Sequence, residues 1–341
     1  MTNKLPDIAV LGATGVVGRE ILNIINELKI PYNSIKFLAS SRSAGSKIEF
    51  KGKHYTVEEA NEHSFDDVSI CLASAGGETS KHFAPIAASK DCVFIDNSSA
   101  FRMEKDVPLV IVGVNDEDLK NHKGIIANPN CSTSQLMLPL KALDEKYKIK
   151  RLIVSTYQAV SGAGLKAMNE LTENVKINLV GMPYSPKAFK YEIAFNVIPQ
   201  IDSFCDNGYT KEEMKVTNET RKILHLDENV KISCTAVRVP VYIGHSEAVS
   251  VEFEKDIDAK DAKELLKNTW GVELRDDVSS FIYPTPKDSA GKNPVFVGRI
   301  RNSIAFDKGL DFFCVADNLR IGAALNTVRI AQKVIEYGLY K

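Results

Sequence analysis

Read from the N-terminus, the first gathering of apolar positions is Ile8-Ala-Val-Leu11, a short continuous run of the kind that makes a buried strand. It runs into Gly12-Ala-Thr-Gly15-Val-Val-Gly18. Val17, Ile21, Ile24, Ile25 and Leu28 then recur at the spacing of one helix face. Further strand-like runs are Ile35–Ala39, Val68–Ala73, Cys92–Asp96, Leu109–Val114 and Ile125–Ala127, with helical patterns between some of them. This alternation predicts an α/β fold whose first part is a Rossmann-type, doubly wound, mostly parallel sheet. After a turn at Asn128-Pro-Asn130, Leu136, Leu140, Leu143 and Tyr147 mark one face of a helix, with a kink expected at Pro139. Ile232–Val241 and Val249–Phe253 read as strands of a second, α+β domain. Ile321, Leu325, Val328 and Ile335 mark a last helix, expected to return to the first domain. The expected division is 1–130 completed by 318–341, and 131–317.

Composition changes this picture little but excludes several classes. The chain has 341 residues, 44% hydrophobic and 26% charged, with a net charge of −1. That is a globular composition with no basic excess for nucleic acid or an acidic membrane. No apolar run approaches the roughly 18 residues of a membrane span, and no signal peptide is read at the N-terminus. The six cysteines, Cys71, Cys92, Cys131, Cys205, Cys234 and Cys314, are scattered without a CxxC pair. No disulfide framework or metal site is expected, and a reducing cytoplasm fits.

Strand, glycine turn and helix form the context of a dinucleotide site. Glycines admit a pyrophosphate to the backbone, and the helix N-terminus supplies N–H donors. The spacing is GxxGxxG, so a tight turn without a ligand is the competing reading. The end of the next strand lacks the acid that holds an NAD ribose and reads Ser40-Ser-Arg-Ser43 instead. Hydroxyls and a guanidinium suit a 2′-phosphate and favour NADP, with a solvated polar loop as the competing reading. Two further loops follow strand ends, Ser74–Ser80 and Asn97–Arg102, and Arg102 is there either to hold an anion or to form an ion pair.

Cys131 stands apart from the other cysteines. It falls at, or one residue before, a helix N-terminus, where Ser132 and Gln135 have capping-box spacing. The dipole there favours a thiolate, and nearby N–H groups suit an oxyanion. His54, His63, His82, His122 and His225 lie in charged or irregular surroundings and read as solvated; His245 follows Gly244 in a turn between strands. Arg238 shares parity with Ile232, Cys234 and Ala236, which points it inward to an anionic ligand or an internal salt bridge. Glu212 and Lys215, three apart on a predicted helix, read by themselves as a surface ion pair.

Asn128-Pro-Asn-Cys131-Ser-Thr133, together with the Gly12–Gly18 turn, resembles the aspartate-β-semialdehyde dehydrogenase family. The resemblance continues through Ser155–Gly164, Glu212–Leu224, Arg238–Glu247 and Asp317–Ala324. It implies NADPH-dependent reduction of L-aspartyl-4-phosphate to the semialdehyde, on the path to lysine, threonine and methionine, by a homodimer joined through the second domain. Carried over by position, it implies Cys131 as acyl-thioester nucleophile, His245 as acid/base and Gln158 as orienting residue. Arg238 would bind the substrate carboxylate, Glu212 its ammonium, and Arg102 and Lys215 the phosphate. Gly12, Thr14, Gly15, Val16, Val17, Arg42, Ser43, Ser161, Gly162 and Asn318 would contact NADP. N-acetyl-glutamyl-phosphate reductases share this chemistry on a substrate without a free ammonium. Glyceraldehyde-phosphate dehydrogenases are more distant and usually prefer NAD. A non-catalytic NADP-binding protein need not keep Cys131, Gln158, Arg238 and His245 together.

Overall fold

The computed structural model describes residues 4–341. The chain divides into two compact units, one holding the residues up to Asn130 together with Ala323–Lys341, the other Cys131–Gly322.

The first unit contains β1 (Asp7–Leu11), α1 (Val16–Glu27), β2 (Ser34–Ala39), β3 (Lys47–Phe50), β4 (Lys53–Thr56), β5 (Glu58–Glu59), β6 (Ile70–Ala73), α2 (Gly77–Ser89), β7 (Val93–Asp96) and β8 (Ile125–Ala127). Six of these strands form one parallel sheet in the order β5-β2-β1-β6-β7-β8. The order reverses at β1, where open α/β sheets bind ligands beyond their strand ends. The central strands are apolar on both faces, as a covered parallel sheet requires. The last helix (Leu325–Glu336, numbered α8 below) packs against α1, β6 and β7 of this unit. Asn326 ties it in, donating to Val110 O at 2.7 Å and Asn128 Oδ1 at 2.7 Å.

Two expectations fail here. Leu109–Val114 is not a strand: only Leu109 bridges to Ala127, and the chain then turns, with Val114 N donating to Ile111 O. Gly113, at φ +88°, and the Asn115 side chain, which accepts from Ile111 N, make that turn. His122 is not solvated; its Nε2 pairs with Leu339 O at 3.1 Å, and burial lowers its pKa.

The second unit contains α3 (Cys131–Tyr147), β9 (Ile149–Gln158), α4 (Leu165–Leu179), α5 (Lys211–Ile223), β10 (Lys231–Arg238), β11 (His245–Phe253), α6 (Ala259–Lys267), β12 (Val272–Leu274), α7 (Pro286–Ser289), β13 (Val295–Asn302) and β14 (Gly309–Ala316). Its mixed sheet runs β10-β9-β11-β14-β13-β12. Leu152, Val154, Thr156 and Gln158 of β9 alternate inward, under α3, while Ile153 and Tyr157 remain exposed on the other face. β10 stops at Arg238 rather than Val241 because Pro240 cannot continue a strand ladder. Pro139 does not break α3, which runs unbroken to Tyr147.

At the end of β1, Gly12 has φ +83°, and a Cβ there would be driven into the carbonyl of Ser74. Gly12→Ala therefore combines left-handed strain with a backbone clash. It should lower stability by roughly 2 kcal/mol, read by urea unfolding followed by circular dichroism.

Candidate active site

Three strand ends of the second unit build the site. β9 and β10 run parallel, so their last residues, Gln158 and Arg238, lie side by side. β11 runs antiparallel to β9 and starts at that same edge, placing His245 on the other side of Gln158. All three side chains are buried. His245 is thus the first residue of a central strand and fully enclosed, not exposed in a turn.

The backbone of Ala159 anchors two of them. Its N–H donates to His245 Nδ1 at 3.0 Å, and its carbonyl accepts from Arg238 Nη1 at 2.7 Å. With Nδ1 an acceptor, the proton of the neutral ring resides on Nε2. Nε2 is buried and has no hydrogen-bond partner, an arrangement that costs about 1–3 kcal/mol and marks a place for a ligand's acceptor atom. Burial, with Arg238 second, pushes the His245 pKa well below its usual 6.5. The imidazole is therefore neutral at physiological pH and offers a proton rather than a positive charge. Burial also lowers the pKa of Arg238, while Cys131 and then Glu212 pull it back up; a guanidinium stays charged through such a shift.

Cys131 is the first residue of α3 and is partly exposed. The helix N-terminus and Arg238 supply positive potential beside its sulfur. Gly322, on a π-helical turn at Arg320–Ala324, lies against it: a Cβ there would come 2.6 Å from Cys131 Cβ and 2.7 Å from its Cα. Gly162, on the turn after β9, faces the opposite pair, its virtual Cβ 3.0 Å from Arg238 Nη1 and 3.2 Å from His245 Nε2. Gln135 does not close a capping box; its Nε2 reaches His245 O at 3.3 Å.

Glu212 and Lys215 are not the surface pair that their spacing alone predicts. Glu212 is buried in the first turn of α5 and accepts from Gln158 Nε2 at 3.1 Å through Oε1. Thr156 Oγ1 donates to Gln158 Oε1 at 3.0 Å, so both ends of that amide are fixed. Lys215 Nζ bridges Glu212 Oε2 at 3.2 Å and Asp202 Oδ2 at 2.8 Å. Asn318 and Ser161 hydrogen-bond each other, and Asn318 Oδ1 also accepts from Gly244 N at 3.0 Å. Their side chains brace the Gly244 turn before His245.

In the first unit, the other expected residues lie at three places. Gly12, Thr14 and Gly15 make the turn from β1 to α1, which starts at Val16 and Val17 with Gly15 as a side-chain-free cap. That turn suits a pyrophosphate, because no side chain occupies the helix N-terminus and a Cβ at Gly12 has no room. Arg42 and Ser43 lie in the turn after β2, with Arg42 exposed. Arg102 is buried and donates to Asn128 O at 2.9 Å and Asn97 O at 2.8 Å. Among the described residues no cluster capable of holding a metal ion occurs, and no helix is long and apolar enough to cross a membrane.

Sequence reasoning missed Ala159, Thr156, Asp202 and Gly322. Ala159 and Gly322 act through backbone and through lack of bulk, which leave no chemical signal in a side chain. Thr156 had one, an inward parity shared with Gln158.

Residues 7–122 match the family model described as semialdehyde dehydrogenase, NAD binding domain, and residues 140–321 the model described as semialdehyde dehydrogenase, dimerisation domain. The chain is 51% identical over 337 residues to an aspartate-semialdehyde dehydrogenase of Aquifex aeolicus, covering 97% of this chain and 98% of that protein. A solved structure of aspartate semialdehyde dehydrogenase II from Vibrio cholerae, complexed with ASA, is 44% identical with a TM-score of 0.94, covering 98% of this chain and 99% of that one. An aspartate semialdehyde dehydrogenase from Candida albicans, solved with NADP, is 25% identical with a TM-score of 0.76, covering 97% and 99%.

Three outcomes are expected at this site. Nitrogen-detected NMR should show the His245 ring neutral, with its proton on Nε2, at pH 6.5. Because the unfolded chain takes up a proton there that folded His245 refuses, this residue's contribution to stability should be lost as pH falls below 6.5. Gly322→Ala should displace Cys131 and slow its alkylation by iodoacetamide about tenfold, the equivalent of about 1.4 kcal/mol.

Proposed function

The chain belongs to the aspartate-semialdehyde dehydrogenase family, and on that premise we propose that it reduces L-aspartyl-4-phosphate to L-aspartate-4-semialdehyde with NADPH, releasing phosphate through a thioester on Cys131. The observation that carries this reading is the convergence of Cys131, Arg238 and His245 Nε2 at one edge of the second sheet. The Cys131 thiolate attacks the acyl carbonyl, forming a C–S bond while the C–O bond to phosphate breaks. His245 Nε2–H donates to the oxygen that becomes negative in this step and again when the thioester is reduced. Collapse to the aldehyde then returns the electron pair to Cys131 sulfur. Arg238 holds the substrate carboxylate, Gln158 orients the reacting centre and Glu212 receives the ammonium, with Arg102 and Lys215 as phosphate ligands.

NADPH supplies the hydride for the second half-reaction. The Gly12–Val17 turn and α1 would hold its pyrophosphate, and Ser161, Gly162 and Asn318 would serve as further contacts. The preference for NADP over NAD rests on Arg42 and Ser43, which stand where an acid would hold an unphosphorylated ribose. The reading as a homodimer rests on the matched dimerisation domain and on the exposed apolar residues Ile153 and Tyr157 of its sheet. The product leads to lysine, threonine and methionine. The free cysteines among the described residues accord with a reducing cytoplasm.

The test is phosphate-dependent reduction of NADP with L-aspartate semialdehyde. Wild-type protein should be active, and folded Cys131→Ala should lose more than about a thousandfold in kcat. Activity with N-acetylglutamate semialdehyde instead would keep the thioester chemistry and overturn the substrate. Equal activity of both proteins would overturn Cys131 as nucleophile.

A further inference from the structure

Behind the site, on the inward face of the same sheet, lies a carboxyl group that the proposed chemistry does not use. Glu247 follows His245 by two residues on β11, in register between Thr156 of β9 and Cys314 of β14. It is fully buried. Its Oε2 accepts from Cys314 Sγ at 3.2 Å, and its Oε1 has no partner.

The groups facing it are mostly neutral. β14 presents the Cys314 thiol, β9 the Thr156 hydroxyl and α3 the Gln135 amide. β10 contributes the Cys234 thiol, whose pKa is raised by burial and then by Glu247, Glu213 and Glu212. On its own strand the nearest titratable group is neutral His245. No basic side chain is among the groups that set its ionisation. A carboxylate enclosed with one thiol donor, and beside an amide whose N–H is given to His245 O, is a costly state, and taking up a proton relieves it. Burial pushes the Glu247 pKa up to about 8.

Gln135 joins this acid to the site. Besides reaching Glu247, its Nε2 donates to His245 O, and it follows Cys131 by about one turn of α3. Its own Oε1 is buried without a partner, an acceptor of the type that a carboxylic O–H requires. We propose that Glu247 is a positioning residue that works as a neutral carboxylic acid, holding Gln135 and, through it, fixing the His245 backbone against the first turn of α3. The inference rests on the function given above.

Glu247→Gln keeps the shape and removes the titration; Glu247→Ala removes both. At pH 7 the wild type should show the infrared carbonyl band of a protonated carboxylic acid that Glu247→Gln lacks; no such difference overturns the proposal. Between its ordinary value of 4.5 and about 8, the unfolded chain releases a proton that folded Glu247 keeps. Wild-type stability should therefore fall with rising pH across that window by a component missing from Glu247→Gln, and identical pH profiles overturn the proposal. Neither measurement needs catalysis, so the two can succeed even if the assigned substrate is wrong, and they stand even if Glu247→Ala does not fold. In the phosphate-dependent assay, Glu247→Ala should lower kcat about tenfold at constant KM, and Glu247→Gln should recover it to within about twofold. Above about pH 8, kcat should decline in the wild type and persist in Glu247→Gln. Equal impairment of both variants would show that the charged carboxylate is needed and sink the idea.

Discussion

The candidate site depends on the backbone of one small residue. Ala159 gives its N–H to His245 and its carbonyl to Arg238, two side chains that arrive from different strands. Sheet register brings them to either side of Gln158, but register alone leaves their long side chains free to rotate. The two backbone bonds remove that freedom, and the first of them also chooses the imidazole tautomer. A backbone donor on Nδ1 leaves Nε2 as the proton-bearing atom, and Nε2 is the nitrogen that faces Gly162. The position after a strand end is well suited to this task because its peptide groups have left the sheet ladder and can bond side chains instead.

Small residues complete the arrangement by absence. Gly162 lets a turn pass close over Arg238 and His245, and Gly322 lets a π-helical turn lie against Cys131. A methyl group at either place would occupy volume beside Cys131 or beside Arg238 and His245. The π-helical turn is a device by which one residue's worth of extra backbone sets Gly322 there without breaking the helix that follows. The surroundings of Cys131 are therefore defined as much by what is kept away from its sulfur as by what touches it.

This division explains what could be read from the sequence. The parallel sheet, the glycine turn and the helix opened by Cys131 follow from periodicity, and strand parity correctly turned Arg238 inward. The same parity turns Glu247 inward, two positions after His245, yet an acid there carries no motif to draw notice. Leu109–Val114 misled because apolar content looks the same in a strand and in a buried turn; Gly113 and Asn115 decide between them through backbone φ and a side-chain bond. Glu212 and Lys215 looked like a surface pair because i,i+3 spacing reports only which face of a helix two residues share. What that face packs against, here β10 and the Gln158 amide, is a tertiary fact.

The charges in the site also explain why His245 is better neutral. Arg238 is buried beside Cys131 and Glu212, and Glu212 in turn meets Lys215, which meets Asp202. Sign alternates along this row, so each buried charge has an opposite neighbour, the condition under which such groups are tolerated. A protonated His245 would insert a second cation next to Arg238 with no anion of its own, and the Ala159 N–H already occupies the atom that would have to take the proton. Burial and Arg238 act in the same direction, against the imidazolium. The row then carries fixed charge, while His245 presents a proton-bearing donor whose polarity adds nothing to the row's net charge. A site built this way offers a hydrogen-bond donor without first paying to create a buried cation, and it keeps Arg238, the positive neighbour of Cys131, free of a competitor.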